Sequence, residues 1–138
     1  MPSRCVRSVR ALGAADDLEA ERAVGITEGS LKRIRRLPGR AFAVARVGDE
    51  VAGLVAYDPV TSSTSVLRAR TPAMARALLQ AVRPACPPER ESVRLNIDGD
   101  DALCAAVVTV GGRVVMRTWR MEGALPVRST ADAGGALP

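Results

Sequence analysis

The chain has 138 residues, 47% of them apolar, and a formal net charge of +5 from 20 basic and 15 acidic side chains. That length and composition fit one domain with one aliphatic core, because Phe, Trp and Tyr occur once each. Histidine is absent, which excludes a Ser-His-Asp triad, a Cys-His dyad or a histidine metal site and leaves proton transfer to carboxylates, Tyr57, thiols, Lys32 or water.

No run of about 18 apolar residues occurs, so no membrane span is expected. The start, "MPSRCVRSVRALG", places arginines where a secretory signal needs an apolar centre, so a cytoplasmic protein is expected. Cys5, Cys86 and Cys104 are widely spaced and form no C-x-x-C pair. That argues against a disulfide framework or structural zinc and for small packing residues.

In chain order, "RCVRSVRAL" (4–12) reads as a first strand. "AADDLEAERAVG" follows as a helix, with Asp16 or Asp17 as N-cap and Gly25 as its stop. Thr27 and Glu28 open a second short helix, "TEGSLKRIRRL", which Pro38-Gly39 ends. In its cationic run (32–40) the cations oppose Leu31, Ile34 and Leu37 at helical spacing, as on a solvated amphipathic face. A phosphate or nucleic-acid patch is the competing reading. The scarcity of aromatics removes the stacking platform that single strands need, and no specific nucleic-acid partner is expected. "AFAVARV" and "VAGLVAY" flank "GDE" and read as a hairpin, closed by Asp58-Pro59. "TSSTS" is a loop leading to a short strand at 65–69.

Thr71 then stands as N-cap and Pro72 at the first helical position, where no amide is lost. Met74, Leu78 and Val82 share one face, with Ala75 and Leu79 beside it, so this helix packs on the sheet. After a proline-rich connection, "SVRLNID" alternates Val93, Leu95 and Ile97 with Arg94, Asn96 and Asp98, the pattern of a half-buried strand. A helical crossover makes the strands around Leu67 and Leu95 parallel neighbours. The stretch 101–112 has two readings. Asp100 or Asp101 caps a helix that Gly111 stops, or "VVTV" and "GG" begin a hairpin. The Gly/Pro-rich end reads as a frayed tail, giving one domain over 1–123 and a flexible tail over 124–138.

Asp16-Asp17, "VAGLVAY", "VRLNID" and "RMEG" (120–123) follow one another in an order and spacing that resembles the GNAT superfamily of acyl-CoA-dependent N-acyltransferases. The resemblance runs over about residues 6–123 and is closest to the divergent C-terminal GNAT-like domains of some two-domain bacterial acetyltransferases. It implies an α+β (α/β) fold: a mixed, mostly antiparallel sheet with a central parallel β-α-β pair and flanking helices. It also implies a helix over 101–110 and a last strand over 113–121.

In that superfamily a Q/R-x-x-G-x-G/A loop after the fourth strand holds the pyrophosphate of coenzyme A. Exposed amides and the positive end of the following helix attract the anion. The matching stretch here is "RARTPA": Arg68 fits the first position, Ala73 the last, and Thr71 replaces the middle glycine. The resemblance therefore implies a CoA contact set of Val66, Leu67, Arg68, Arg70, Thr71, Ala73, Met74 and Ala75, with binding weakened by the missing glycine and by Pro72, which has no N–H. A plain helix cap is the alternative reading of Thr71-Pro72.

Many members place a tyrosine late in the helix after the fifth strand. Val107 stands at that position here, and valine donates no proton. Cys104, one turn earlier, is a candidate proton donor, with a packing thiol as the alternative. Tyr57, Asp58 and Glu50 are the nearest candidate bases, each with a structural alternative: strand residue, turn and solvated loop acid. Direct attack of an amine on a thioester needs positioning more than a base. The resemblance thus implies an acetyl-CoA-dependent N-acetyltransferase, with a small-molecule or protein amine as acceptor. Its alternative is a catalytically silent module that forms a homodimer or serves a separate catalytic domain.

Overall fold

The computed structural model describes residues 7–118. Four strands lie side by side in sequence order, every pair antiparallel: β1 (Arg7–Ala11), β2 (Ala41–Val47), β3 (Glu50–Asp58) and β4 (Ser63–Ala69). β3 is buried from Val51 to Asp58 because helices cover both faces of the sheet. Val51 and Leu54 point to one side, against Leu12, Ala20, Leu31 and Val44. Ala52, Val55 and Tyr57 point to the other, against Leu67, Met74 and Leu78. Gly48 and Asp49 form the two-residue turn of the β2–β3 hairpin, with Gly48 at φ 60°.

Two extra residues break the register. Ala45 pairs with Gly53 but Arg46 with Val51, so β3 carries Ala52 in excess. Ala56 pairs with Val66 but Tyr57 with Thr64, so β4 carries Ser65 in excess. Each such bulge bends its strand and increases its twist.

Two helices cover the first face, α1 (Asp17–Val24) and α2 (Ser30–Arg35). Gly25, at φ 76°, takes the left-handed position that ends α1. The buried Glu21 carboxylate accepts hydrogen bonds from the amides of Gly29 and Leu31, at 3.1 and 2.9 Å. Arg35 pairs with Asp17 at 2.7 Å and stacks over the Phe42 ring at 4.2 Å. The opposite face carries α3 (Pro72–Val82) and α4 (Asp101–Thr109). Gly53 lets α3 approach: a Cβ there would lie 2.9 Å from both the Arg68 carbonyl oxygen and Leu78 Cδ1.

The 101–112 stretch is a helix. Asp100 Oδ1 accepts from the Leu103 amide at 2.9 Å, and Gly111 at φ 101° ends α4. The Gly112 amide returns to the Val107 carbonyl and the Gly111 amide to that of Val108, the paired bonds of a Schellman stop.

Several expectations change. The strand expected at 93–98 is a single parallel bridge, Ser63 to Arg94, with its neighbours in extended but unladdered chain. Residues 113–118 form no strand, and Val114, Val115 and Met116 are exposed. β-propensity expresses itself only on a pleated surface that accepts the strand, and the 92–98 segment offers no continuous ladder. The rest of that expected strand (119–121), residues 4–6 of the expected first strand and the 124–138 tail lie outside the described residues. The second helix spans only Ser30–Arg35, because Gly29 at φ 90° precedes it. Cys86 and Cys104 are half-buried rather than enclosed, and Cys5 lies outside the described residues. No helix among those described is long and apolar enough to cross a membrane.

Candidate functional site

The parallel contact between β4 and the 92–98 segment begins as an ordinary ladder. The Arg94 amide donates to the Ser62 carbonyl at 2.8 Å, and the Thr64 amide donates to the Arg94 carbonyl at 2.9 Å. The next rung would join the Asn96 amide to the Thr64 carbonyl. Side chains intercept it. The Asn96 amide donates to Thr64 Oγ1 at 3.2 Å, and Asn96 Nδ2 donates to the Thr64 carbonyl at 2.6 Å. The Ser65 bulge follows at once and turns β4. Beyond that point no backbone–backbone hydrogen bond joins the two segments among the described residues. The gap is spanned instead by two side chains, Arg68 and Asp98, at 3.2 Å.

β4 then runs into α3. Thr71 is the N-cap in extended conformation, and its Oγ1 accepts from the Met74 amide at 3.2 Å. The Ala75 amide bonds to the Thr71 carbonyl. Pro72 has no N–H. From Pro72 to Ala75, the first turn of α3, only the amide of exposed Ala73 has no partner among the described residues. The open front implied by the family loop is therefore mostly closed by the chain itself, and the threonine that replaces a glycine is the residue that closes it. Met74 and Ala75 are buried against the sheet.

The cations of the loop are engaged too. Arg70 pairs with Glu50 and Arg68 with Asp98, all on partly exposed side chains. Such exposed pairs contribute about 0–1 kcal/mol each, so an incoming polyanion has little to overcome in drawing either arginine away. Val66 lies opposite Ala56 and packs toward α1 and α2, whereas Leu67 lies opposite Val55 and is buried beneath α3.

Tyr57 and Asp58 sit at the other end of β4, opposite Thr64 and Ser63. Arg70 lies six residue steps beyond Thr64, a span of about 20 Å at strand rise. The structure does not bring these two candidates to the α3 front. Burial works against the Asp58 charge, yet hydrogen bonds from Thr61 Oγ1, the Arg40 guanidinium and the Val60 amide outweigh it and hold the carboxyl below its usual range. Asp58 thus closes a turn as an anion and is a poor proton acceptor. Burial pushes the Tyr57 phenol up, helped by Cys86 and opposed by Ser62. Glu50 does lie near the α3 front, as the partner of Arg70. Cys104 stands half-buried on α4, at a shallow concavity shared with Asp101 and Arg117.

Sequence reasoning missed the two residues that define the cleft, Thr64 and Asn96. Their side chains matter through a partner 32 positions away, and no local pattern marks such a pair.

No protein-family model and no curated protein matches the chain. Solved structures do. A transcriptional regulator from Bacillus halodurans C-125 superposes with a TM-score of 0.60 at 13% identity, over 85% of this chain and 99% of that one. The GNAT family acetyltransferase SP0256 from Streptococcus pneumoniae TIGR4 superposes with a TM-score of 0.56 at 17% identity, over 89% of this chain and 98% of its own. This chain has the GNAT fold. AAC(6')-Iy, solved with a bisubstrate analogue of CoA and an acetylated neamine, matches it with a TM-score of 0.55 at 13% identity, over 86% and 99% of the two chains. The GNAT fold accounts for the mixed α+β layering and for the parallel placement of the 92–98 segment beside an otherwise antiparallel sheet.

Proposed function

We propose that this GNAT-fold domain binds acetyl-CoA between β4 and the 92–98 segment and transfers its acetyl group to an amine. The observation that supports this is the ladder ending at Thr64 and Asn96, which leaves the edge of β4 open between Thr64 and the start of α3. The thioester carbonyl would take a hydrogen bond from a β4 backbone amide near Val66 or Leu67. Ala73 N–H, with Arg68 and Arg70 swung from their surface pairs, would hold the pyrophosphate. The amine nitrogen attacks the carbonyl carbon, the C–N bond forms, the C–S bond breaks, and the proton lost by nitrogen leaves with the thiol or water. Positioning carries the rate, because direct attack of an amine on a thioester needs no dedicated base.

A second reading has its own support. One unpaired amide at the helix front and a valine at position 107 fit a domain that keeps the fold without the chemistry. Calorimetric titration with acetyl-CoA and CoA, followed by an amine panel, separates the two. Binding with transfer supports the enzyme, and binding without transfer supports the silent module. At about 100 times its dissociation constant a ligand adds roughly 2.7 kcal/mol to stability, so an unchanged melting temperature with saturating acetyl-CoA removes the CoA site. Ala73 is exposed, so Ala73→Asp keeps the fold while setting a carboxylate against the phosphates. Unaltered CoA affinity in that variant moves the site away from this helix.

A further inference from the structure

A second concavity runs along α3 from Arg76 to the 90–93 loop, and none of the implied CoA contacts lines it. Its volume is about 420 Å³, within the range of small-molecule clefts. One wall is the outer surface of α3 and its C-cap, where Arg76 and Arg83 stand seven residues apart, a rise of about 10 Å. Neither has an acidic partner among the described residues. Arg90 faces them from the loop, tethered to the Val60 carbonyl at 2.7 Å. Against these three cations the lining offers one carboxylate, Glu91.

The rest of the lining is apolar or fixed. Leu79, Val82 and Val93 supply hydrocarbon surface. Beneath them Ser62 adopts φ 50°, a left-handed conformation that serine rarely takes. Its hydroxyl donates to the Ser92 carbonyl at 2.8 Å. That uses its single proton, so the Tyr57 hydroxyl, 3.2 Å away, is the donor to Ser62. Ser62 thus holds the Tyr57 ring and the 92–93 backbone in one arrangement under the cleft. A non-glycine residue kept in such a conformation, with its side chain spent on shaping a cavity floor, is the pattern of a preorganised ligand site.

We propose that this cleft binds a small organic anion with an apolar body, an aromatic carboxylate or phosphate monoester, whose charge sits between Arg76 and Arg83 and whose ring lies against Leu79 and Val93. The site is separate from the acetyl-CoA cleft and does not depend on it.

Tyr57 is the sole tyrosine, so protein carrying 13C-labelled tyrosine gives one ring signal set at the cleft floor. Titration with benzoate and with phenyl phosphate should move it saturably. Benzamidine, of similar shape and opposite charge, and inorganic phosphate, which has no ring, should bind at least tenfold more weakly. The Arg76→Ala/Arg83→Ala variant, altered only on exposed helix positions, should bind the anions at least tenfold less tightly with an unchanged melting temperature. In the unaltered protein, amide shifts should centre on Gln80, Arg83 and Val93. The proposal is overturned if neither aromatic anion gives saturable shifts, if benzamidine or inorganic phosphate matches them, if the double variant binds equally well, or if the shifts centre on Ala73 instead.

Discussion

Asn96 and Thr64 exchange two hydrogen bonds, and in each a side chain stands where backbone would complete a parallel rung. Removing either side chain leaves a half-buried polar group unpaired. Thr64→Val and Asn96→Ala should each cost about 1–3 kcal/mol. The double variant should cost less than their sum, because the freed Asn96-position amide and Thr64 carbonyl then meet as an ordinary rung. Urea denaturation of the four proteins of the cycle measures this, and strict additivity would contradict it. With the rung restored the cleft narrows, so acetyl-CoA affinity should fall in the double variant.

At the start of α3, fold stability and anion binding compete for the same amide. Thr71 Oγ1 occupies the Met74 N–H. Thr71→Gly should lower stability by only a few tenths of a kcal/mol, since glycine is an acceptable cap. It should raise CoA affinity by freeing a second amide. Calorimetry on both proteins checks the pair of signs; lower affinity would mean that Thr71 itself contacts the ligand.

Gly53 is set by close approach rather than by φ. An alanine Cβ would meet the Arg68 carbonyl and Leu78 at 2.9 Å, and Met74 Sδ at 3.1 Å. Backbone cannot yield as a flexible side chain does, so α3 must lift from β3. Gly53→Ala should destabilise by about 1–3 kcal/mol, read as a lower urea midpoint, and should disturb the α3 front that the proposed function uses.

Asp58 gives a pH dependence with a definite sign. Its carboxyl is held below the ordinary value of 3.8 in the folded protein. The stability it contributes is therefore full above pH 3.8 and is lost as pH falls through the lower folded value. Asp58→Asn should remove this acid-sensitive component. It should also cost about 3–5 kcal/mol at neutral pH, because Arg40, whose Nε already has no partner, is left as a buried uncompensated charge.

Tyr57 gives the opposite sign at the alkaline end. Its phenol is pushed above the ordinary value of 10.0, first by burial. The associated stability is full below pH 10 and declines as pH climbs toward the folded value. Tyrosinate absorbance, from a single residue, should rise near pH 10 in urea and only at higher pH in the native protein. Coincident curves would mean an exposed ring.

The sequence by itself determined the elements whose causes are local. Thr71-Pro72 fixed the start of α3, Gly25 the end of α1, and Gly48-Asp49 the hairpin, because caps and tight turns depend on one or two residues' conformational preferences. The helical crossover placed "VRLNID" beside β4, as the parallel bridge of Ser63 and Arg94 bears out, but the segment's alternation wrongly promised a full strand. Pairing is a property of two segments, and the Thr64 and Asn96 side chains, with the Ser65 bulge, took the hydrogen bonds that a ladder needs. The helix at 101–109 was undecided locally and was settled by Gly111 and Gly112 closing onto Val107 and Val108. Only the tertiary structure showed that, among the described residues, the first turn of α3 keeps one free amide, at Ala73, and that Tyr57, Ser62, Arg76, Arg83 and Arg90 surround one cleft. Both depend on groups far apart along the chain, whose meeting is decided by how α3 and the 86–93 loop pack on the sheet.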